Sequence, residues 1–219
     1  MFQNRSVNTQ ESRSPAIWIP HGMSALNDLI KTSNTVLRHN QNSLTFCEKY
    51  PVVTINYGRE IQHVPEDAEG SLQESMIRII KEQGDFQERN TNVKADMTEW
   101  YMHKTHTCFQ WVCNKALTLA ERHNPHKVDM EVYDCWGAVY REGEYTKEHD
   151  HWPCLWSFVF YVDSCENCSP LVFPTGNNHK VLPKTGNLTL FPSWILHSVP
   201  PQKCNHERIM IAGNIRLSK

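Results

Sequence analysis

The chain has 219 residues, a formal net charge of −2 and 21% charged residues, so it can bury a core of its own and lacks the basic field that nucleic-acid binding needs. No apolar run approaches the roughly 20 residues of a membrane span, and the opening MFQNRSVNTQESRSP has no apolar centre of the signal-peptide kind. A cytoplasmic protein without a membrane partner is expected, in the host cytoplasm if the chain is viral. Residues 1–15 are polar and aperiodic, and disorder is the expectation there. Residues 16–127 read as a mainly helical flanking region. MSALNDLIKTSNTVLRHN carries Leu26, Leu29, Ile30, Val36 and Leu37 at helical spacing. SLQESMIRIIKEQGDF opens on a capping box, Ser71 with Glu74, and stops at Gly84. MTEWYMHKTHTCFQWVCNKALTLAERHN reads as one long helix, with Met97, Trp100, Trp111, Val112 and Leu119 on a broad core-facing side.

After about residue 128 the texture changes. VDMEVYDCWGAVYREGEYTKEHDH, LWSFVFYVD, SPLVFPTG, GNLTLFPSW, LHSVPP and RIMIAGNIRL are short β-rich runs separated by Gly, Pro, Asn and Asp. Such runs predict a sandwich or barrel. Helices before strands give an α+β order, with the helices packed outside the strand layer. There is no internal repeat, and residues 128–219 form the β core of one integrated domain.

EHDHWP places His149, Asp150 and His151 in a row. In a strand, residues two apart share a face, so His149 and His151 converge on one point and Asp150 looks away. A solvated pair would explain an H-x-H spacing equally well. His197 follows the strand-like GNLTLFPSWIL, and Arg208 opens the apolar run RIMIAGNI. An Arg so placed is either exposed in a surface salt bridge or holding a buried anion. Eight cysteines in a chain of this length without a secretory signal read as reduced thiols rather than a disulfide framework. Cys165 and Cys168 share one turn, and Cys204 and His206 share another. These are thiol-bearing surface turns or, together, the donors of a structural zinc.

In combination these motifs resemble the 2-oxoglutarate- and Fe(II)-dependent oxygenases, and most closely those encoded by marine phages and bacteria. The resemblance rests on Trp136, Gly143, His149, His151, SFVFYV, Gly186, LTLFPSW, His197, Val199, Pro201 and Arg208, and covers about residues 134–216. It implies a double-stranded β-helix, a jelly-roll or cupin-like barrel. It implies His149 and His197 as ligands of ferrous iron, with His151 where most of the superfamily has a carboxylate. Arg208 would pair with the distal carboxylate of 2-oxoglutarate, with Tyr140 and, less directly, Asn214 assisting. Dioxygen and a peptide or small-molecule substrate complete the implied partners, with prolyl or peptidyl hydroxylation the nearest activity.

Two departures from the pattern stand out. A third imidazole in place of the carboxylate leaves the same positions open but makes the site more positive by about one charge, and invites Zn, Ni or Cu to compete. Asp150 could restore the carboxylate only through a twist or bulge. The second departure is Ala138, where the pattern often has Asn. The alternatives are a three-histidine iron dioxygenase without 2-oxoglutarate, which gives Arg208 no task, and a catalytically silent metal-binding barrel serving as a structural or binding module. Substrate and oligomeric state are not legible.

Overall fold

The computed structural model describes residues 50–66, 68–84, 91–176 and 178–218. The polar start and the helix read in residues 23–40 lie outside them. In chain order the elements are β1 (Val53–Asn56), α1 (Gly58–Gln62), α2 (Leu72–Gln83), β2 (Val93–Lys94), β3 (Asp96–Met97), α3 (Thr107–His123), β4 (Met130–Tyr140), β5 (Tyr145–His149), β6 (Trp156–Asp163), β7 (Leu171–Phe173), β8 (His179–Val181), β9 (Asn187–Pro192), β10 (His197–Val199) and β11 (Arg208–Leu217). The fold is mixed and sheet-rich. A larger sheet runs β1-β9-β6-β11-β4-β3 and a smaller one β2-β5-β10-β7-β8.

Alternation along the central strands explains how the two sheets and the helices are arranged. In β11, Ile209, Ile211 and Ile215 share one buried cluster with Ile80 of α2 and Val112 and Ala116 of α3. Met210 and Ala212 turn the other way and join Trp136, Ala138 and Tyr140 of β4 and Tyr161 of β6. The register is antiparallel, with Arg208 opposite Tyr140 and Met210 opposite Ala138. One face of the large sheet is therefore sealed by helices through apolar packing, aliphatic side chains together with Phe109, Phe158 and Phe160. The other face, carrying aromatics and Arg208, looks across a cavity toward the small sheet. Leu171 and Phe173 of β7 pack with Phe191 on that side.

Helix α2 starts as its sequence dictates. Ser71 Oγ accepts from the Glu74 amide at 3.1 Å and Glu74 Oε2 accepts from the Ser71 amide at 2.7 Å, the reciprocal pair of a capping box. Helix α3 is shorter than the apolar periodicity predicts. Met97 pairs with Ala138 on β4, Thr98 exchanges backbone and hydroxyl bonds with Gly137, and only at Thr107 does the helix begin. The backbone groups along β4 capture residues 96–98 as an edge strand. Met97 and Trp100 thus pack on the aromatic cluster rather than with Val112 on the helical one.

Among the described residues two glycines sit at positive φ, both at +83°. At Gly143 a Cβ would meet nothing within 4 Å, whereas at Gly186 it would stand 2.3 Å from the backbone nitrogen of Gly58. Gly186 also accepts from the Tyr57 amide at 2.7 Å and donates to Tyr161 at 2.8 Å, so it fixes β1 and α1 to the sheet. Gly143→Ala should cost about 1 kcal/mol from backbone strain alone. Gly186→Ala should cost about 3 kcal/mol or more, because backbone must also move. Urea denaturation of the two variants beside the parent checks the order.

Candidate functional site

His149 closes β5 and His197 opens β10, and the two are paired directly in register. His151 lies beyond the strand, on the turn that follows. Its backbone amide donates to the Ser193 carbonyl at 2.7 Å, and Ser193 in turn donates from its amide to Leu155 and from its hydroxyl to Cys154. The histidines meet with ring centroids 4.3 to 5.0 Å apart. One nitrogen from each lies within 4.8 Å of the others. His149 and His151 do converge, as i and i+2 spacing suggests, but a turn tied to the end of β9 delivers the second imidazole rather than strand alternation.

The ring orientations are fixed from behind. His149 Nδ1 lies 2.8 Å from the Lys147 carbonyl and His197 Nδ1 lies 3.0 Å from the Ile195 carbonyl. A carbonyl can only accept, so each Nδ1 carries the proton and each Nε2 keeps its lone pair free for a cation. Burial, reinforced by the neighbouring imidazoles, pulls His151 down to about 2 from an ordinary 6.5. Burial and His149 pull His197 down to about 3, and His149 is lowered too. The cluster is neutral at physiological pH, which is the form that binds metal.

Across the same cavity stands Arg208, 1% exposed. One guanidinium nitrogen donates to the Ser169 carbonyl at 2.5 Å, and the group lies 4.2 Å from the Tyr140 ring centroid. Its Nε is buried with no hydrogen-bond partner, and no carboxylate among the described residues forms an ion pair with it. A buried cation left this way is costly unless an anion joins it. Tyr140 adds a hydroxyl bonded to Thr146 Oγ1 at 2.7 Å. Burial raises its pKa although Arg208 opposes the shift, so the phenol remains a donor. Three imidazoles, a guanidinium and a phenol thus share one cavity, walled otherwise by Val159, Leu171, Phe191 and Met210. The donor set suits a divalent metal beside a carboxylate-bearing ligand.

The family described as "Putative 2OG-Fe(II) oxygenase" matches residues 173–214, a span that includes His197 and Arg208 but neither His149 nor His151. The viral collagen prolyl hydroxylase of Paramecium bursaria Chlorella virus-1 is similar in structure (TM-score 0.56, 19% identity, 76% of this chain and 96% of that one). So is a Pseudomonas putida prolyl-4-hydroxylase (TM-score 0.56, 16% identity, 87% and 100%). A Trichoplax adhaerens prolyl hydroxylase, solved with a hypoxia-inducible factor peptide fragment, is a third (TM-score 0.53, 15% identity, 86% and 92%). No curated protein matches the chain in sequence. The family match is confined to residues 173–214, and the structural likenesses show a fold shared with these hydroxylases.

Asp150 looks away from the cluster, as strand alternation suggests, whereas Asn214 stands apart from the cavity to which the resemblance assigned it. Asp150 is exposed, and its carboxylate accepts from the Trp152 amide at 3.0 Å, outside the histidine cluster. The turn geometry that brings His151 inward commits Asp150 to this backbone bond. Asn214 lies on the same face of β11 as Arg208 but at the far end, where Ser157 and Asp134 bond its amide at 2.7 and 2.8 Å and keep it off the cavity wall. Trp156 is fully buried, with its indole 3.4 Å from Asn124. Trp194 stacks edge-on against Tyr50, and Trp152 is 38% exposed.

Thr146 escaped the sequence reading, and Trp136 entered it only as part of a motif. Thr146 is a polar residue on a five-residue strand and carries no motif; only its contact with Tyr140 reveals it. Trp136 lines the cavity with a buried indole N–H that has no partner, a donor that periodicity alone would assign to packing.

Between the ordinary histidine value and the depressed one, the unfolded chain holds protons that the folded cluster rejects. The cluster's contribution to stability is therefore complete above about pH 6.5 and is lost as pH falls toward the folded values. Metal-free protein should melt at progressively lower temperature from about pH 7 to about pH 5, and His151→Gln should flatten that slope by about one proton. Thermal melts of both across that range provide the check.

Proposed function

We propose that the protein is an Fe(II)- and 2-oxoglutarate-dependent dioxygenase that hydroxylates a C–H bond, with prolyl or other peptidyl side chains as the first substrate class. The two sheets then correspond to the walls of a double-stranded β-helix, with the metal held by His149, His151 and His197. Ferrous iron, once bound, supplies oxygen activation coupled to oxidative decarboxylation of the keto acid, so that C–H, dioxygen and 2-oxoglutarate give C–OH, succinate and carbon dioxide. Everything else falls to the chain. His149 and His197 present Nε2 because backbone carbonyls hold their other nitrogens. Arg208 receives the distal carboxylate in the fork geometry that suits a planar anion, and Tyr140 donates beside it. Val159, Leu171, Phe191 and Met210 keep water from that end.

One observation carries this reading: a buried guanidinium without a counter-ion faces the same cavity as three neutral, pre-oriented imidazoles. A three-histidine dioxygenase that used no keto acid, or a silent barrel, would leave Arg208 desolvated for nothing. The keto acid would also bring the negative charge that this site lacks for want of a carboxylate ligand. The peptidyl preference is supported by the prolyl hydroxylases among the similar structures. It is supported also by Trp152, an exposed aromatic next in the chain to His151, on which an extended substrate could lie.

Anaerobic addition of Fe(II) and 2-oxoglutarate to metal-free protein tests the proposal. A weak visible charge-transfer band should appear only when both are present. Arg208→Ala should weaken 2-oxoglutarate binding by at least about tenfold, since it removes charge-assisted hydrogen bonds worth about 1.5–3 kcal/mol each, while Fe(II) still binds. Tight Fe(II) binding with no band would sink the reading. Tyr140→Phe should raise the KM for 2-oxoglutarate by about threefold to tenfold, the loss of one neutral donor, as measured by succinate release.

A further inference from the structure

At the end of β6 and in the turn before β11, Cys165, Cys168 and Cys204 come together from two loops. Their sulfurs are 3.5, 3.7 and 3.8 Å apart pairwise. A tetrahedral zinc with Zn–S bonds of about 2.3 Å requires sulfurs separated by about 3.8 Å along each edge. The three sulfurs therefore already outline one face of such a site. They also lie at hydrogen-bonding distance from N–H groups: Gln202 Nε2 points at Cys168 and Cys204 from 3.3 and 3.4 Å, and the Cys165 amide at Cys168 from 3.3 Å. Donors aimed at sulfur stabilise thiolates more than thiols. His206 stands beside the cluster, its Nε2 buried without a hydrogen bond and 3.6 Å from the Asp163 carboxylate. As placed it is not within 4.8 Å of all three sulfurs, so the four-donor set predicted from sequence assembles as three thiols with the imidazole set apart.

We infer that Cys165, Cys168 and Cys204 bind a structural zinc ion that clamps the β6–β7 and β10–β11 loops together. The clamp reaches the cavity through few atoms. Gln202, 2% exposed, contacts two of the sulfurs and accepts from the Ser169 amide at 3.0 Å. The Ser169 hydroxyl donates to Pro201 at 2.9 Å, and the Ser169 carbonyl accepts from Arg208. The metal thereby fixes the carbonyl that aims the guanidinium. This second role rests on the 2-oxoglutarate reading of Arg208; the metal site itself does not.

Elemental analysis of protein purified without chelator, beside a His149→Ala/His197→Ala variant, separates the two metal centres. One zinc per chain should persist in that variant and be lost in Cys165→Ser and in Cys168→Ser. Substituted with Co(II), the histidine variant should show the intense visible bands of a tetrahedral site with thiolate charge transfer. Absence of zinc, loss of all zinc with the histidines, or a disulfide between Cys165 and Cys168 in the isolated protein would overturn the proposal. Cys165→Ser, whose residue is the more exposed of the two, serves where Cys168→Ser fails to fold. In Cys165→Ser, 2-oxoglutarate should bind about tenfold more weakly, as for loss of a supporting outer contact. An unchanged affinity would overturn the link to Arg208 and leave the zinc result standing. Failure of 2-oxoglutarate to bind the parent protein would strike the proposed function and not the zinc count.

Discussion

A guanidinium removed from water must find negative charge or strong acceptors. In this chain Arg208 is buried with a single carbonyl and a tyrosine face for company. The surroundings only make sense around that unmet demand. Strand β4 places Tyr140 directly opposite, the loop after β6 supplies the Ser169 carbonyl, and the small sheet together with the turn after β5 sets three imidazoles across the cavity. A desolvated cation is costly unless an anion joins it, and the neutral histidines across the cavity set no carboxylate against one.

The large sheet makes this arrangement possible by having two different faces. Its helix-side face is wholly apolar, sealed by Ile80, Val112, the isoleucines of β11 and the aromatics of β6, and supplies the cohesion of the fold. The other face can then carry polar and ionisable groups at modest cost to the whole. Gly137 shows how tightly the covered side is fitted: a Cβ there would lie 2.6 Å from Ile80 Cγ1.

Much of this was readable in the sequence because it depends on local rules. The capping box of α2 and the strand character of β11 follow from short-range geometry, and His149 converges with His151 as their spacing suggests, though a turn tied to Ser193 delivers the second imidazole. What was misjudged depends on partners distant in sequence. The helix reading ran back to Met97 because its apolar spacing suits a helix, yet the free edge of β4 draws that segment into the sheet. Asn214 looked available as a polar residue on the final strand, but Asp134, whose carboxyl burial lifts to about 6, and Ser157 occupy its amide. Thr146 and the Ser169 carbonyl had no signature at all, since their roles exist only once Tyr140 and Arg208 are beside them.

The three histidines also differ in what holds them. His149 and His197 belong to paired strands, and their rings are held by the Lys147 and Ile195 carbonyls of those same segments. His151 hangs from a turn fastened through its backbone to Ser193, and a backbone tether is indifferent to the side chain it carries. The residue at position 151, and with it the charge of the cavity, can therefore drift over evolution or be rewritten by design while the scaffold stays the same.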